Sequence, residues 1–165
     1  MESRLRKRFA DASALGWAWV ALTAALAIHV TDEARNNFLA LYNPAVRRIR
    51  QALPFVPLPE FTFRWWLAGL VMAVVALALL SLFVFSGARW SRGAAVFFGT
   101  LMALNGLGHI LGSLSSGRLL AGTWSAPLLL AAAIALLSIS LRTTRRRSEA
   151  SPRAELVGKQ DASGP

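Results

Sequence analysis

The chain has 165 residues, 55% hydrophobic and 16% charged, with a formal net charge of +10. A soluble domain of this size carries about a quarter charged residues, whereas here Asp, Glu, Lys and Arg are absent from residues 12–31, 65–88, 93–117 and 119–141. Each run is long enough for the roughly 20 apolar residues that cross a bilayer core, which excludes an ordinary soluble enzyme and, despite the charge, a basic nucleic-acid binder. There is no Cys, so disulfides, thiolate metal sites and cysteine nucleophiles are excluded as well. Of the 18 basic residues only Lys7 and Lys159 are not Arg; with the heavy Ala and Leu usage this points to a GC-rich bacterial genome.

The first run follows Arg4-Leu5-Arg6-Lys7-Arg8. It is longer than the roughly 7–15 residues of a signal-peptide core, so it reads as a retained helix, with Trp17 and Trp19 at the inner interface. After it, Asn43-Pro44 reads as a helix start, Asn as cap and Pro at the first position. Val46, Ile49 and Leu53 then share one face and Arg47, Arg48 and Arg50 the other, which predicts an amphipathic helix on the membrane surface. Pro54, Pro57 and Pro59 break the following stretch, to which Phe55, Phe61, Phe63, Trp65 and Trp66 give an interfacial aromatic belt.

The expected architecture is therefore an all-α integral membrane protein. Four transmembrane helices are expected, at about residues 12–31, 65–86, 93–112 and 119–141, forming one domain with an interfacial segment over 32–64. A disordered, arginine-rich tail is expected over 142–165, where Arg145-Arg146-Arg147 anchors to anionic lipid. Four spans put both termini on one side with 12 of the basic residues, against six (Arg35, Arg47, Arg48, Arg50, Arg64, Arg118) on the other. The positive-inside rule makes that side cytoplasmic, in a bacterial inner membrane.

Ionisable groups inside spans are costly and mark function. At the end of the first span stands His29-Val30-Thr31-Asp32-Glu33. Asp32 and Glu33 are three and four residues from His29, so the three side chains fall on one helix face. In the third span Asn105 and His109 are again one turn apart, among Gly106, Gly108 and Gly112. The Gly108-x-x-x-Gly112 spacing is one that lets helices approach closely. His29 lies 17 residues past Ala12 and His109 lies 16 past Gly93. At about 1.5 Å per residue both reach the same depth, roughly 24–26 Å from the inner entry. Contact between them depends on helix rotation, which spacing does not give. Taken singly, each group also fits a plain role: Glu33 paired with Arg35 or Arg64, His109 bonded to a carbonyl.

Two imidazoles and a carboxylate are a familiar set for a catalytic zinc, which takes three protein ligands and keeps a water position, or for non-haem iron. His29, His109 and one of Asp32 or Glu33 would supply the ligands, and the remaining carboxylate would act as base toward the bound water. A metal-free version also fits: a carboxylate orients His29 as base, while His109 and Asn105 stabilise an oxyanion.

Together the two motifs resemble the HXXEE-motif membrane proteins, a family of small, multi-span, largely bacterial proteins named for a His-x-x-Glu-Glu signature that is accompanied by a later Asn-x-x-x-His. The resemblance covers roughly residues 15–140. It extends to Phe38-Leu39-Ala40-Leu41-Tyr42-Asn43-Pro44 and Leu58-Pro59-Glu60-Phe61-Thr62-Phe63. Asp32 stands for the first Glu of the signature, an arm shorter by one methylene, and Ala121-Gly122 stands where relatives often look like Pro-Gly. The resemblance implies the membrane architecture, the motif residues and a suspected catalytic role. The expectation is a metal-assisted membrane enzyme, a hydrolase of a lipid or other amphipathic substrate, with His29, Glu33 and His109 as metal ligands, Asp32 as base or supporting carboxylate and Asn105 as orienting donor. The alternatives are a non-catalytic membrane module that binds a metal, lipid or partner helix, and a proton-coupled carrier.

Overall fold

A computed structural model of the chain describes residues 2–142. Among the described residues there are five helices and no strand: α1 Glu2–Arg35, α2 Leu39–Ala52, α3 Phe63–Phe85, α4 Ser91–Ser116 and α5 Ala126–Arg142. Three of them are long and apolar enough to cross a membrane: Phe9–Arg35 within α1, then α3 and α4. The expected tail beyond Arg142 lies outside the described residues.

The organising element is α1. Leu15, Trp19, Leu22 and Leu26 follow one another at steps of four, three and four, the helical stripe spacing, and all are buried. This stripe meets Leu77 and Val84 of α3, Ala95 of α4, and Leu129, Ala133 and Leu136 of α5 in one core. Trp19 is 1% exposed, its indole Nε1–H donates to the Leu77 carbonyl at 2.8 Å, and its ring meets Phe98 edge-on. It is a core residue, not the interfacial anchor expected; Trp17, two residues earlier and 65% exposed, faces outward.

Small residues set the α4–α5 contact, although not the ones the motif spacing indicates. A Cβ at Gly99 would lie 2.9 Å from the Leu137 side chain, and one at Gly106 would lie 3.0 Å from the Ala126 carbonyl oxygen. Gly99 and Gly106 are two turns apart and bring α5 onto α4. A Cβ at Gly108 meets nothing within 4 Å, so Gly108-x-x-x-Gly112 does not form this contact.

Two further boundaries differ from expectation. The fourth apolar run is not helical from residue 119: residues 119–125 are a turn segment, and α5 begins at Ala126. Gly117 stops α4 in the left-handed conformation (φ 64°). Ser113 then holds the turn, its Oγ accepting from Leu120 N at 3.0 Å and contacting the Thr123 hydroxyl. Pro127, which lacks an N–H, occupies the first turn of α5, where no intrahelical donor is needed. The seventeen residues of α5 give a length of about 25 Å.

The helix expected at the interface also starts earlier than Asn43-Pro44 indicates: α2 runs from Leu39 with Pro44 inside it. Asn43 is not a cap. Its amide donates to the Phe61 carbonyl (2.9 Å) and accepts from Phe61 N (3.1 Å), clamping the proline-rich segment back onto α2. Leu39 and Val46 are buried, so tertiary contact outweighs the local cost of an internal proline. Arg47 and Arg50 engage Glu60 at 2.7 and 3.7 Å, exposed pairs that contribute little to stability.

The Trp19 bond joins two membrane-length helices, so its removal is measurable. Trp19→Phe is expected to cost about 1 kcal/mol, and Trp19→Ala about 3–5 kcal/mol from the cavity it opens. Reversible unfolding in detergent checks both; equal costs for the two variants would show that the indole bond, not packing, dominates.

Candidate metal centre

The buried stripe of α1 does not end with its apolar residues. Three and then four residues beyond Leu26 it reaches His29 and Glu33, which are 0% and 6% exposed. The geometry that packs Leu15, Trp19, Leu22 and Leu26 into the core therefore turns an imidazole and a carboxylate inward as well. From α4, His109 comes alongside: the two imidazole centroids are 4.8 Å apart and the rings nearly perpendicular. The rotation that spacing left open brings the two histidines into contact.

Glu33 Oε1 lies 3.1 Å from His109 Nε2 and 3.6 Å from His29 Nε2. One potential ligand atom from each of the three residues lies within 4.8 Å of the others. Tetrahedral zinc with bonds of about 2.0–2.1 Å holds its ligand atoms roughly 3.3 Å apart. The group therefore has the composition and spacing to hold a metal ion. Glu33 is thus not paired with Arg35 or Arg64.

Asp32 takes a different position. One residue before Glu33 it is turned about 100° around the helix, toward the start of α5. Its Oδ2 accepts from the Ser125 backbone N–H (3.0 Å) and hydroxyl (2.7 Å), and its Oδ1 from the Asn36 amide (2.7 Å). Ser125 Oγ lies 2.8 Å from His29 Nδ1. A hydroxyl has one proton. The Gly122 carbonyl at 3.2 Å competes poorly for it with a carboxylate at 2.7 Å. Ser125 therefore donates to Asp32 and accepts from His29 Nδ1–H. This assigns the tautomer of neutral His29, leaving Nε2 with its lone pair on the Glu33 side. Nε2 is buried and has no hydrogen-bond partner. A carboxylate acting on a ligand histidine through a second group is a common support for metal sites.

The turn segment covers the cluster. Gly122 has φ 85°, and a Cβ there would lie 2.7 Å from His109 Cε1 and 3.0 Å from His29 Cε1. Only glycine satisfies both the left-handed backbone and the closeness of two rings. On the other side Phe38 packs against His109 and stacks on Trp66.

His29, Glu33 and His109 thus converge, and Asp32 joins them through Ser125. Asn105 lines a groove beside His109 but makes no hydrogen bond to the cluster. Ser125 and Gly122 are the site residues that sequence patterning missed as a pair. Gly122 was marked only by the family resemblance. Ser125 lies in an apolar run that reads as helix, and its one signal is its place just before Pro127, where helices begin.

The Gly122 geometry makes a graded prediction. Gly117→Ala places a Cβ at positive φ in open space and should cost about 1–2 kcal/mol. Gly122→Ala adds a collision with both imidazoles and should cost about 1–3 kcal/mol more. Thermal unfolding of the two variants in the same detergent checks the difference.

Comparison with known proteins adds no identification: no family model matches the chain, and no curated protein or solved structure matches it.

Proposed function

We propose that the chain is a metal-assisted, membrane-embedded enzyme of the HXXEE type, a hydrolase acting on a lipid or other amphipathic substrate. His29, Glu33 and His109 hold one divalent ion, zinc or iron. The observation that carries this reading is the buried convergence on Glu33 Oε1 of both histidine Nε2 atoms, one of them without a hydrogen-bond partner. An unsatisfied buried nitrogen is destabilising, and ligation satisfies it. A divalent ion held there would supply Lewis-acid activation of water for hydrolysis.

The residues of the chain divide the remaining work. Asp32 and Ser125 hold the His29 ring in orientation and tautomer; with both carboxylate oxygens engaged, Asp32 supports the ligand and is not the base. Glu33, whose Oε1 faces both histidines, is the carboxylate that would take a proton at the cluster. Asn105, one turn before His109 on α4, donates to the substrate's carbonyl oxygen. Gly122 and Phe38 close the cluster from two sides and restrict water.

In this reading α5 is the fourth span, short because residues 119–125 serve the site, and α2 lies at the interface with Ile49 and Leu53 toward lipid (41% and 44% exposed). Both termini are then cytoplasmic in a bacterial inner membrane. A reporter joined after Gly164 should give a cytoplasmic signal; a periplasmic one would overturn the four-span orientation.

Metal content is the direct test. Tag-free protein purified without chelator should carry close to one ion per chain by mass spectrometry, lost in His29→Ala, His109→Ala and Glu33→Gln. Ser125→Ala should keep the ligands but weaken metal affinity about 10–100-fold. Hydrolysis of ester lipids by the loaded protein should fall with metal content. The 3.1 Å His109–Glu33 distance also fits a direct hydrogen bond. A folded wild type that takes up no metal would favour that metal-free cluster, with acid–base or binding chemistry.

A further inference from the structure

One wall of the cluster is open. Beside His109 runs a groove of about 290 Å³, close to the roughly 300 Å³ lower limit of small-molecule sites. Phe38, Leu41, Leu104 and Leu120 line it. No charged side chain among the described residues lines it, so an ionic head group has no partner there. Its polar side chains are Asn105 and His109, one helical turn apart on α4, and His109 belongs to the cluster.

The floor of the groove is glycine. Gly108 and Gly112 stand on the α4 surface between Asn105 and the turn segment, and a Cβ at Gly108 would enter open space. Helix packing therefore does not require glycine at 108, and a side chain there would project into the groove that Gly108 lines. The groove lies along α4, a helix of membrane-crossing length. Leu104, Leu107 and Leu111 beside it are 63%, 42% and 54% exposed. In a bilayer such a surface meets acyl chains and not water.

We infer that this groove is a lateral entry for one acyl chain of a carbonyl-bearing amphiphile, an ester or amide, with its carbonyl at Asn105 and the cluster. The inference rests on the metal-centre reading for the chemistry at that end and adds the substrate class. The volume accommodates a segment of one chain. An unpaired Asn105 amide at the polar end favours an acyl compound over a plain hydrocarbon, because an amide in an apolar wall needs a partner.

The test uses the full chain in phosphatidylcholine vesicles containing methyl palmitate with a mid-chain diazirine. After photolysis, mass spectrometry maps the labelled residues. Labelling at Phe38, Leu41, Leu104 or Leu120 is expected to exceed that at the lipid-facing residues Leu79 and Leu82 of α3 at least fivefold. Gly108→Leu should abolish the excess. Gly69→Leu, at an α3 glycine whose Cβ direction is equally open, should leave it unchanged.

On wild type, excess methyl palmitate should compete the label away and hexadecane should not. Asn105→Leu should remove that distinction. Even labelling over all exposed apolar residues, or an excess indifferent to Gly108→Leu, would overturn the entry site. Competition by hexadecane as strong as by the ester would overturn the assignment of a carbonyl compound. Metal content read on the same samples separates the two ideas: groove labelling with no metal bound sinks the metal-centre reading alone, and bound metal without groove labelling sinks the entry site alone.

Discussion

The structure depends on one constraint: a carboxylate and an imidazole carried inward by the same helical stripe that builds the core. Burying such groups without partners is costly, and α1 offers no choice, because rotating Glu33 to the surface would also expose Leu15, Trp19, Leu22 and Leu26. The partners must therefore come from elsewhere in the chain. His109 arrives from α4 and Ser125 from the start of α5, and the turn between those helices is folded to suit the cluster.

That requirement accounts for the departure of residues 119–125 from helix. A straight helix from Leu119 would present side chains to the cluster. The turn instead presents Gly122, with no side chain, against both rings, and aims the Ser125 N–H and hydroxyl at Asp32. The backbone groups this turn frees are taken up by Ser113, by Asp32 and by bonds into α5. This is the condition on which irregular backbone is tolerated in apolar surroundings. The two adjacent carboxylates of α1 are separated in role by a single step of helix rotation. Glu33 faces the histidines, and Asp32 faces the residue that orients one of them.

The same arrangement separates packing glycines from open ones. Gly99 and Gly106 are covered by α5, while Gly108, two residues on from Gly106 and turned to another face, is left uncovered beside His109. One helix thus presents a tight seam to its neighbour and a groove to the surroundings, and the site sits where the two meet.

Much of this was legible in the sequence. Charge-free runs of membrane length fix helices over most of α1, α3 and α4, because apolar length and charge exclusion are local properties. His29, Glu33 and His109 could be singled out, since the two histidines lie in those runs at one depth by helix rise and Glu33 stands one turn past His29, just beyond the first run. Helix rotation could not be read, because it is decided by packing between segments far apart in the chain. Tertiary structure alone therefore decided that the histidines touch, that Trp19 is core, that Asn43 clamps Phe61 instead of capping a helix, and that Asp32 reaches Ser125 across 93 residues of chain. It also decided where the last helix begins. The sequence after Leu119 is apolar enough for a helix throughout, but the buried polar groups of α1 need donors at that place, and a continuous helix has none to give.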